Sequence, residues 1–371
     1  MRVAVVHDWL DKYAGSERVL EQILELFPKA DLFSLVDFLE DRSFIRNKKV
    51  HTSFIQNLPF AKRYFRYYLP LFPLAIESFD LSNYDLIISS SHCVAKSVKK
   101  HNLQIHISYV HTPVRYAWDL REEYLKETGL NKGIKRFLAT LVLDYIKKFD
   151  FKTANRVDHF VANSQFVRER IRRIYGRDAK VIYPPVDVHK LRLNENKEDF
   201  YLVVSRLEPY KKLHLIVEAF ARMPEKKLIV IGDGSQMKKI KEIAGKNVEI
   251  LGYQKDEVVK DSLERAKAFV YAAEEDFGIA MVEAQACGTP VVAFRKGGAS
   301  EIVVHGKTGI LFDKQSPEAI VEAIKGLDRI YDRLNFSEIR ENSLRFSKER
   351  FREEFKGFVE EVFQKKHQHL P

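Results

Sequence analysis

The sequence predicts an α/β protein made of two doubly wound, parallel-sheet domains. Three observations carry this prediction. Short apolar runs of strand length alternate with longer stretches whose apolar residues recur at helical spacing. The alternation stops at a polar stretch and then starts again. The length, 371 residues, suits two domains of ordinary size better than one. Repeated strand–helix units imply parallel sheets with crossover helices on their faces.

In order, Val3–Val6 reads as the first strand. Glu17–Leu26 reads as a helix, because Val19, Leu20, Ile23, Leu24 and Phe27 recur at helical spacing. Asp85–Ser89, Ile105–Val110 and His159–Ala162 are further strands, and Val181–Tyr183 is another, stopped by Pro184-Pro185. Leu191–Asp199 is polar and without apolar periodicity, so it reads as a linker. The alternation resumes with strand Phe200–Val204, helix Leu213–Arg222 and strand Lys227–Ile231, which ends in Gly232-Asp233-Gly234. Val248–Leu251 and Ala268–Ala272 follow as strands, then a helix from about Gly278 and a strand at Pro290–Phe294. The division expected is 1–190, 191–345 and a closing helical segment 346–371 that begins with a cap-like Ser347. Ligands of such sheets lie beyond the carboxyl ends of the strands, so the loops there should carry the chemistry.

Composition narrows the class. At 45% hydrophobic and 12% aromatic residues the chain can bury two cores. No apolar run approaches membrane-spanning length, and the N-terminal segment is not that of a signal peptide. Cys93 and Cys287 are far apart, give no disulfide framework and fit a reducing cytosol. The net charge is +10, and residues 1–190 hold 31 Lys and Arg against 22 Asp and Glu, nearly all of the surplus. Such a surplus suits an anionic partner — a membrane surface, a lipid phosphate or nucleic acid — or is simply a solvated basic face.

The strongest local signal is Glu275-Asp276-Phe277-Gly278-Ile279-Ala280-Met281-Val282-Glu283. Glu275 lies in the loop after a strand and Glu283 on the helix that this loop opens. Gly278 lets backbone approach a ligand closely, and the first N–H groups of the helix favour an anion. A phosphate flanked by two polyols is what a nucleotide-sugar offers. An isolated pair of glutamates would read as a helix cap with two solvated acids. A second constellation, Ser205-Arg206-Leu207-Glu208-Pro209-Tyr210-Lys211-Lys212, puts two cations beside a strand end, which suits a pyrophosphate. Gly232-Asp233-Gly234 reads as a tight turn. No Asp-x-Asp occurs, so no metal–diphosphate bridge is expected.

The segment continues Ala284-Gln285-Ala286-Cys287-Gly288-Thr289-Pro290, then Gly297-Gly298-Ala299-Ser300-Glu301 and Gly306-Lys307-Thr308-Gly309. Over nearly the whole chain this resembles family 4 of the retaining glycosyltransferases, whose GT-B fold pairs two Rossmann-like doubly wound domains with a cleft between them. The resemblance implies that Glu275 contacts the transferred sugar and Glu283 the ribose. It implies that backbone at Phe277, Gly278 and Ile279 lies against the sugar and its phosphates, and that Arg206 and Lys211 hold the donor diphosphate. Lys212 stands where a glycine is usual. The loop Asp11–Arg18 matches a loop near the donor phosphate and acceptor, with Ala14-Gly15 where many relatives have two glycines. His111, directly after a strand, matches the family's cleft histidine, whereas His101 and His106 read as structural.

The string His111-Thr112-Pro113-Val114-Arg115-Tyr116-Ala117-Trp118-Asp119 resembles bacterial mannosyltransferases that build O-antigen-type polysaccharides from GDP-mannose. The expectation is therefore transfer of a hexose, mannose from GDP-mannose, with retention of configuration and without a metal cofactor. The acceptor expected is a lipid-linked glycan, and the closing helix is expected to return to the first domain. A UDP-sugar enzyme of the same fold, a nucleotide-sugar-binding protein without turnover, and a basic nucleic-acid binder are the rivals. No nucleic-acid motif accompanies the charge. Lys62-Arg63-Tyr64-Phe65-Arg66-Tyr67-Tyr68-Leu69-Pro70-Leu71-Phe72 mixes cations with aromatics and suits the headgroup level of a bilayer, or else a helix with a buried aromatic face. The location expected is cytoplasmic, peripheral on the inner face of the cell membrane.

Overall fold

The protein is described from a computed structural model that covers residues 1–368, with backbone only at Glu127 and 366–368. The chain forms two compact units, Met1–Pro184 with Phe351–Pro371, and Pro185–Arg350.

The first unit holds seven strands: β1 Val3–His7, β2 Asp31–Ser34, β3 Val50–Thr52, β4 Leu86–Ser91, β5 Ile105–Val110, β6 His159–Ala162 and β7 Ala179–Val181. They form one sheet in the order β3-β2-β1-β4-β5-β6-β7, every pairing parallel. A parallel sheet is covered on both faces, and β1 shows how its sequence serves two cores. Ala4 and Val6 face one, with Phe33 and Ile87, while Val3 and Val5 face the other, with Leu32 and Ile88. The first helix, Gly15–Leu26, buries Val19, Leu20, Ile23 and Leu24 as their spacing predicts. It starts two residues before the expected Glu17, because the Glu17 carboxylate accepts the Ala14 N–H at 3.0 Å and closes the first turn. The strand after β6 also starts early, at Ala179. Tyr183 falls outside it, and the next two residues are prolines.

The stretch 61–77 folds as three short helical turns. Phe65, Leu69 and Phe72 enter the core, while Lys62, Arg63 and Tyr67 stay exposed. It therefore has the buried aromatic face, and its cations lie outside that face. The long helix Gly133–Thr153 packs Leu143 and Ile146 into the same core. From the final helix, Lys348–Gln368, the side chains Phe351, Phe355, Val359 and Val362 join the cluster around Val3 and Val5. Ser347 caps it, accepting the Arg350 N–H at 3.3 Å.

The second unit holds β8 Glu198–Val204, β9 Lys227–Ile231, β10 Val248–Gly252, β11 Ala266–Tyr271, β12 Val291–Phe294 and β13 Gly309–Phe312. Their order is β10-β9-β8-β11-β12-β13, again all parallel. The expected linker Leu191–Asp199 is a tied segment. Leu191 is buried, Lys197 Nζ donates to Glu264 O, Cys287 O and Thr289 Oγ1 at 2.8 to 2.9 Å, and β8 already begins at Glu198. Among the described residues no helix is long and apolar enough to cross a membrane.

Candidate functional site

In a doubly wound sheet the crevice opens where the strand order reverses. In the second unit this is between β8 and β11, and two of the residues singled out from the sequence, Lys211 and Glu275, meet beside it. Tyr271 is the last residue of β11, and Lys211 closes the turn Pro209–Lys211 that follows β8. Lys211 Nζ is bonded to Glu275 Oε1 and lies 3.2 Å from the Tyr271 hydroxyl, which donates to the same Glu275 oxygen at 2.9 Å. The Lys211 and Glu275 side chains are only 14% and 17% exposed. Burial would lower the Lys211 ammonium, but the Glu275 charge outweighs it and holds the group above its usual range. Burial and that same carboxylate raise the Tyr271 phenol. The cluster is thus a fixed cation and a carboxylate joined by a protonated phenol.

Backbone holds Glu275 in place. Its carbonyl accepts the Gly298 N–H at 2.9 Å, and a Cβ on Gly297 would lie 2.1 Å from that oxygen. Gly297-Gly298 therefore lets a second loop lie flat against 275–277. Gly278, at φ +104°, turns the chain into helix Ile279–Ala286 in a conformation closed to other residues. Phe277 is buried, its ring 5.4 Å from that of Phe346, while Gly278, Ile279 and Glu283 are half-buried. Arg206 is exposed and donates to the Tyr210 hydroxyl at 2.6 Å, beside the cluster but not bonded to it. Sequence reasoning missed Tyr271, although its position at the end of a strand, four residues before Glu275, was a usable signal.

The first unit joins its two predicted residues through intermediates that the sequence did not single out. Ser90 Oγ, at the carboxyl end of β4, lies 2.8 Å from His111 Nε2 and 3.1 Å from His7 Nδ1. His7 Nε2 in turn lies 3.0 Å from Glu17 Oε1, and Glu17 Oε2 accepts the Ala14 N–H beside Gly15. The exposed Gly15 loop is thereby connected to His111 by Glu17, His7 and Ser90, all buried. Burial, with His92 and His7 nearby, holds the His111 imidazole well below its usual range, so it is neutral near pH 7. Burial would raise the Glu17 carboxyl, but the hydrogen bond and charge of His7 bring it down to about 2. Asp8, fully buried after β1, accepts the N–H groups of His92, Cys93, Val94 and Ala95 at 2.6 to 2.9 Å. His106 bonds Ser89 at 2.8 Å and His101 approaches the Ser82 carbonyl, away from His111. Among the described residues no group of His, Cys, Asp and Glu is arranged to hold a metal.

Two family models match the chain in succession: Glycosyltransferase Family 4 over residues 13–190 and Glycosyl transferases group 1 over 187–332. An uncharacterized glycosyltransferase of Methanocaldococcus jannaschii is 31% identical over 54% of this chain and 57% of its own length. The N-acetyl-alpha-D-glucosaminyl L-malate synthase of Bacillus anthracis is 28% identical over 63% of the chain and 67% of its own. The GDP-mannose-dependent alpha-(1-6)-phosphatidylinositol monomannoside mannosyltransferase of Mycolicibacterium smegmatis is 28% identical over 47% and 54%. The match thus spans little more than half to two thirds of these relatives. The structure of Anabaena Alr3699/HepE in complex with UDP superposes over 97% of this chain and all of that one, with a TM-score of 0.69 at 19% identity. At that identity the likeness shows the fold, two parallel-sheet Rossmann-like units of the GT-B type. With adjoining models that together take in residues 13–332, the chain belongs to the family 4 glycosyltransferases.

Proposed function

We propose that the protein transfers a hexose with retention of configuration, mannose from GDP-mannose, onto a lipid-linked glycan at the inner face of the cell membrane. The observation that carries the reading is the cluster Lys211–Tyr271–Glu275 beside Arg206 at the crevice of the second unit. It offers what a nucleotide-sugar requires, cations for the diphosphate and a carboxylate for sugar hydroxyls. The arriving diphosphate competes with Glu275 for Lys211, which frees the carboxylate to accept a hydroxyl of the transferred sugar. Arg206 forks onto the same phosphates and Glu283 takes the ribose.

The bond from the anomeric carbon to the phosphate breaks as the acceptor oxygen attacks on the same face, and the departing phosphate takes the acceptor's proton. Lys211 and Arg206 stabilise the charge that develops on that phosphate, so no metal bridge is needed. The neutral His111 ring hydrogen-bonds a sugar hydroxyl, and the Gly15 loop serves the acceptor. Mannose is supported by the string His111–Asp119 and by the relative whose name specifies GDP-mannose.

A thermal-shift series with GDP-, UDP- and ADP-sugars tests the donor. GDP-mannose should raise the melting temperature most. A larger rise with UDP-glucose would replace the mannosyl reading with the UDP-sugar one. Loss of transfer in EDTA, restored by a divalent ion, would overturn the metal-free mechanism.

A further inference from the structure

The helix Gly133–Thr153 of the first unit presents large apolar side chains to the outside. Ile134 is 75% exposed, Phe137 62%, Leu138 54%, Leu141 50% and Tyr145 48%. They form one stripe. At about 100° per residue these five, together with Lys148 and Lys152, fall within ~100° of one another around the helix axis. Lys148 and Lys152 are exposed as well. The outer face therefore reads apolar along its first three turns and basic along the rest, over about 27 Å. The opposite face carries the buried Leu143, Ile146, Asp150 and Thr153, so the helix is already fixed by its inner side.

The helix shares its core with Phe65, Leu69 and Phe72 of the 61–77 segment. That segment also turns large side chains outward: Phe60 is 81% exposed, Tyr67 80% and Leu74 61%, with Lys62 and Arg63 exposed among them. Between Asp41 and Glu77 the chain has no acidic residue, whereas Lys48, Lys49, Lys62, Arg63 and Arg66 lie there. Two elements packed on one core thus both leave apolar and aromatic groups outside, accompanied by cations.

We propose that the outer face of helix Gly133–Thr153, with the exposed side chains of 60–74, is a surface that seats in the interfacial layer of an anionic lipid bilayer. Apolar groups of this size gain by leaving water for the acyl boundary, while lysine and arginine heads remain at the level of anionic headgroups. Charge selects this occupant over a second copy of the chain. A copy packed stripe to stripe would bring Lys148 and Lys152 no acidic partner, since the stripe carries none, whereas an anionic surface neutralises them together with Lys62 and Arg63. The proposal depends on the reading above only for why the enzyme should work at a bilayer. The surface itself rests on exposure and charge.

Co-sedimentation needs neither donor nor acceptor, so its result stands apart from any transfer assay. The wild-type chain should bind vesicles of phosphatidylcholine containing phosphatidylglycerol, and bind phosphatidylcholine alone far more weakly. The double variant Phe137→Ser, Leu141→Ser should weaken binding at least about tenfold. Its altered side chains are exposed, so its melting temperature should be unchanged. The double variant Lys148→Ala, Lys152→Ala should lose about twenty-fivefold at low salt, from about fivefold per cation, and its binding should depend less on salt. Undiminished binding by Phe137→Ser, Leu141→Ser would overturn the proposal, as would equal binding to both vesicle types. A wild-type dimer that this variant converts to a monomer, with no vesicle binding, would assign the stripe to self-association and overturn it as well.

Discussion

Lys211 and Glu275 neutralise one another in the second unit, with the Tyr271 hydroxyl bonded to both. Such a pair keeps a cation and a carboxylate in fixed positions before any ligand arrives. On the proposed reading Lys211→Ala removes a cation that acts on the departing phosphate, so kcat/KM for transfer should fall about a hundred- to thousandfold. The two glutamates should separate in steady-state kinetics. Glu283→Gln, at the ribose, should raise KM for the donor and spare kcat, because ground and transition states both contain the ribose. Glu275→Gln, at the reacting sugar, should lower kcat. The reverse pattern would exchange their roles.

The connection from Glu17 through His7 and Ser90 fixes how the His111 ring lies, since a hydrogen bond to one ring nitrogen sets which nitrogen carries the proton. Ser90→Ala removes the middle link without touching His111. Turnover should fall about tenfold or more, in line with the loss of partners that orient a functional histidine. Donor affinity by titration should stay within about twofold, because Ser90 belongs to the other unit from the donor residues. Full turnover in this variant would show that the connection only packs the domain.

The alternation of strand and helix was legible because helix Gly15–Leu26 and strands such as β4 and β5 hide a whole face or both faces. What escaped was short or depended on distant partners. Strands β2, β3 and β13 have only three or four residues, too few for a period to register. The polar stretch around Lys197 looked loose because the three oxygens that hold its ammonium lie far along the chain. In the site, Glu275, Lys211, Arg206 and Glu283 were visible as charges in motifs. Tyr271 resembled any aromatic closing a strand, and His7 and Ser90 any residues of a buried one, because their significance comes from parallel pairing that the linear order conceals.

His106 sets a pH dependence. It is fully buried, and burial holds its imidazole at about 4, against 6.5 for the free side chain. A depressed histidine binds fewer protons folded than unfolded. Its contribution is therefore intact above 6.5 and is lost as the pH falls toward 4. At pH 4 the loss from this group should reach about 3 kcal/mol. Denaturant midpoints should be level from pH 7 to 8 and decline below 6.5, and the ring should resist protonation in a histidine NMR titration until near pH 4.

Lys212 adopts φ +54° between the turn Pro209–Lys211 and helix Leu213–Ala221, the left-handed conformation that a glycine enters freely. The resemblance to family 4 leads to the expectation of a glycine at this position. Lys212→Gly relieves roughly 1 kcal/mol of backbone strain, and the greater freedom of the unfolded chain offsets part of that gain. The melting temperature should rise slightly or hold, whereas Lys212→Val, which keeps the strain and adds a branch at Cβ, should lower it by several degrees.

Asp8, with its carboxylate gripped by four successive amide hydrogens, gives the two units different appetites. Amides converging in this way on the crevice of a parallel sheet are what a nucleotide's phosphates usually find. Here the side chain of Asp8 already occupies those amides. On the proposed reading, a nucleoside diphosphate offered to both halves would find those amides already taken at one and would meet Lys211 and Arg206 at the other. The first half is in this way closed to the very ligand that, on the same reading, the second receives.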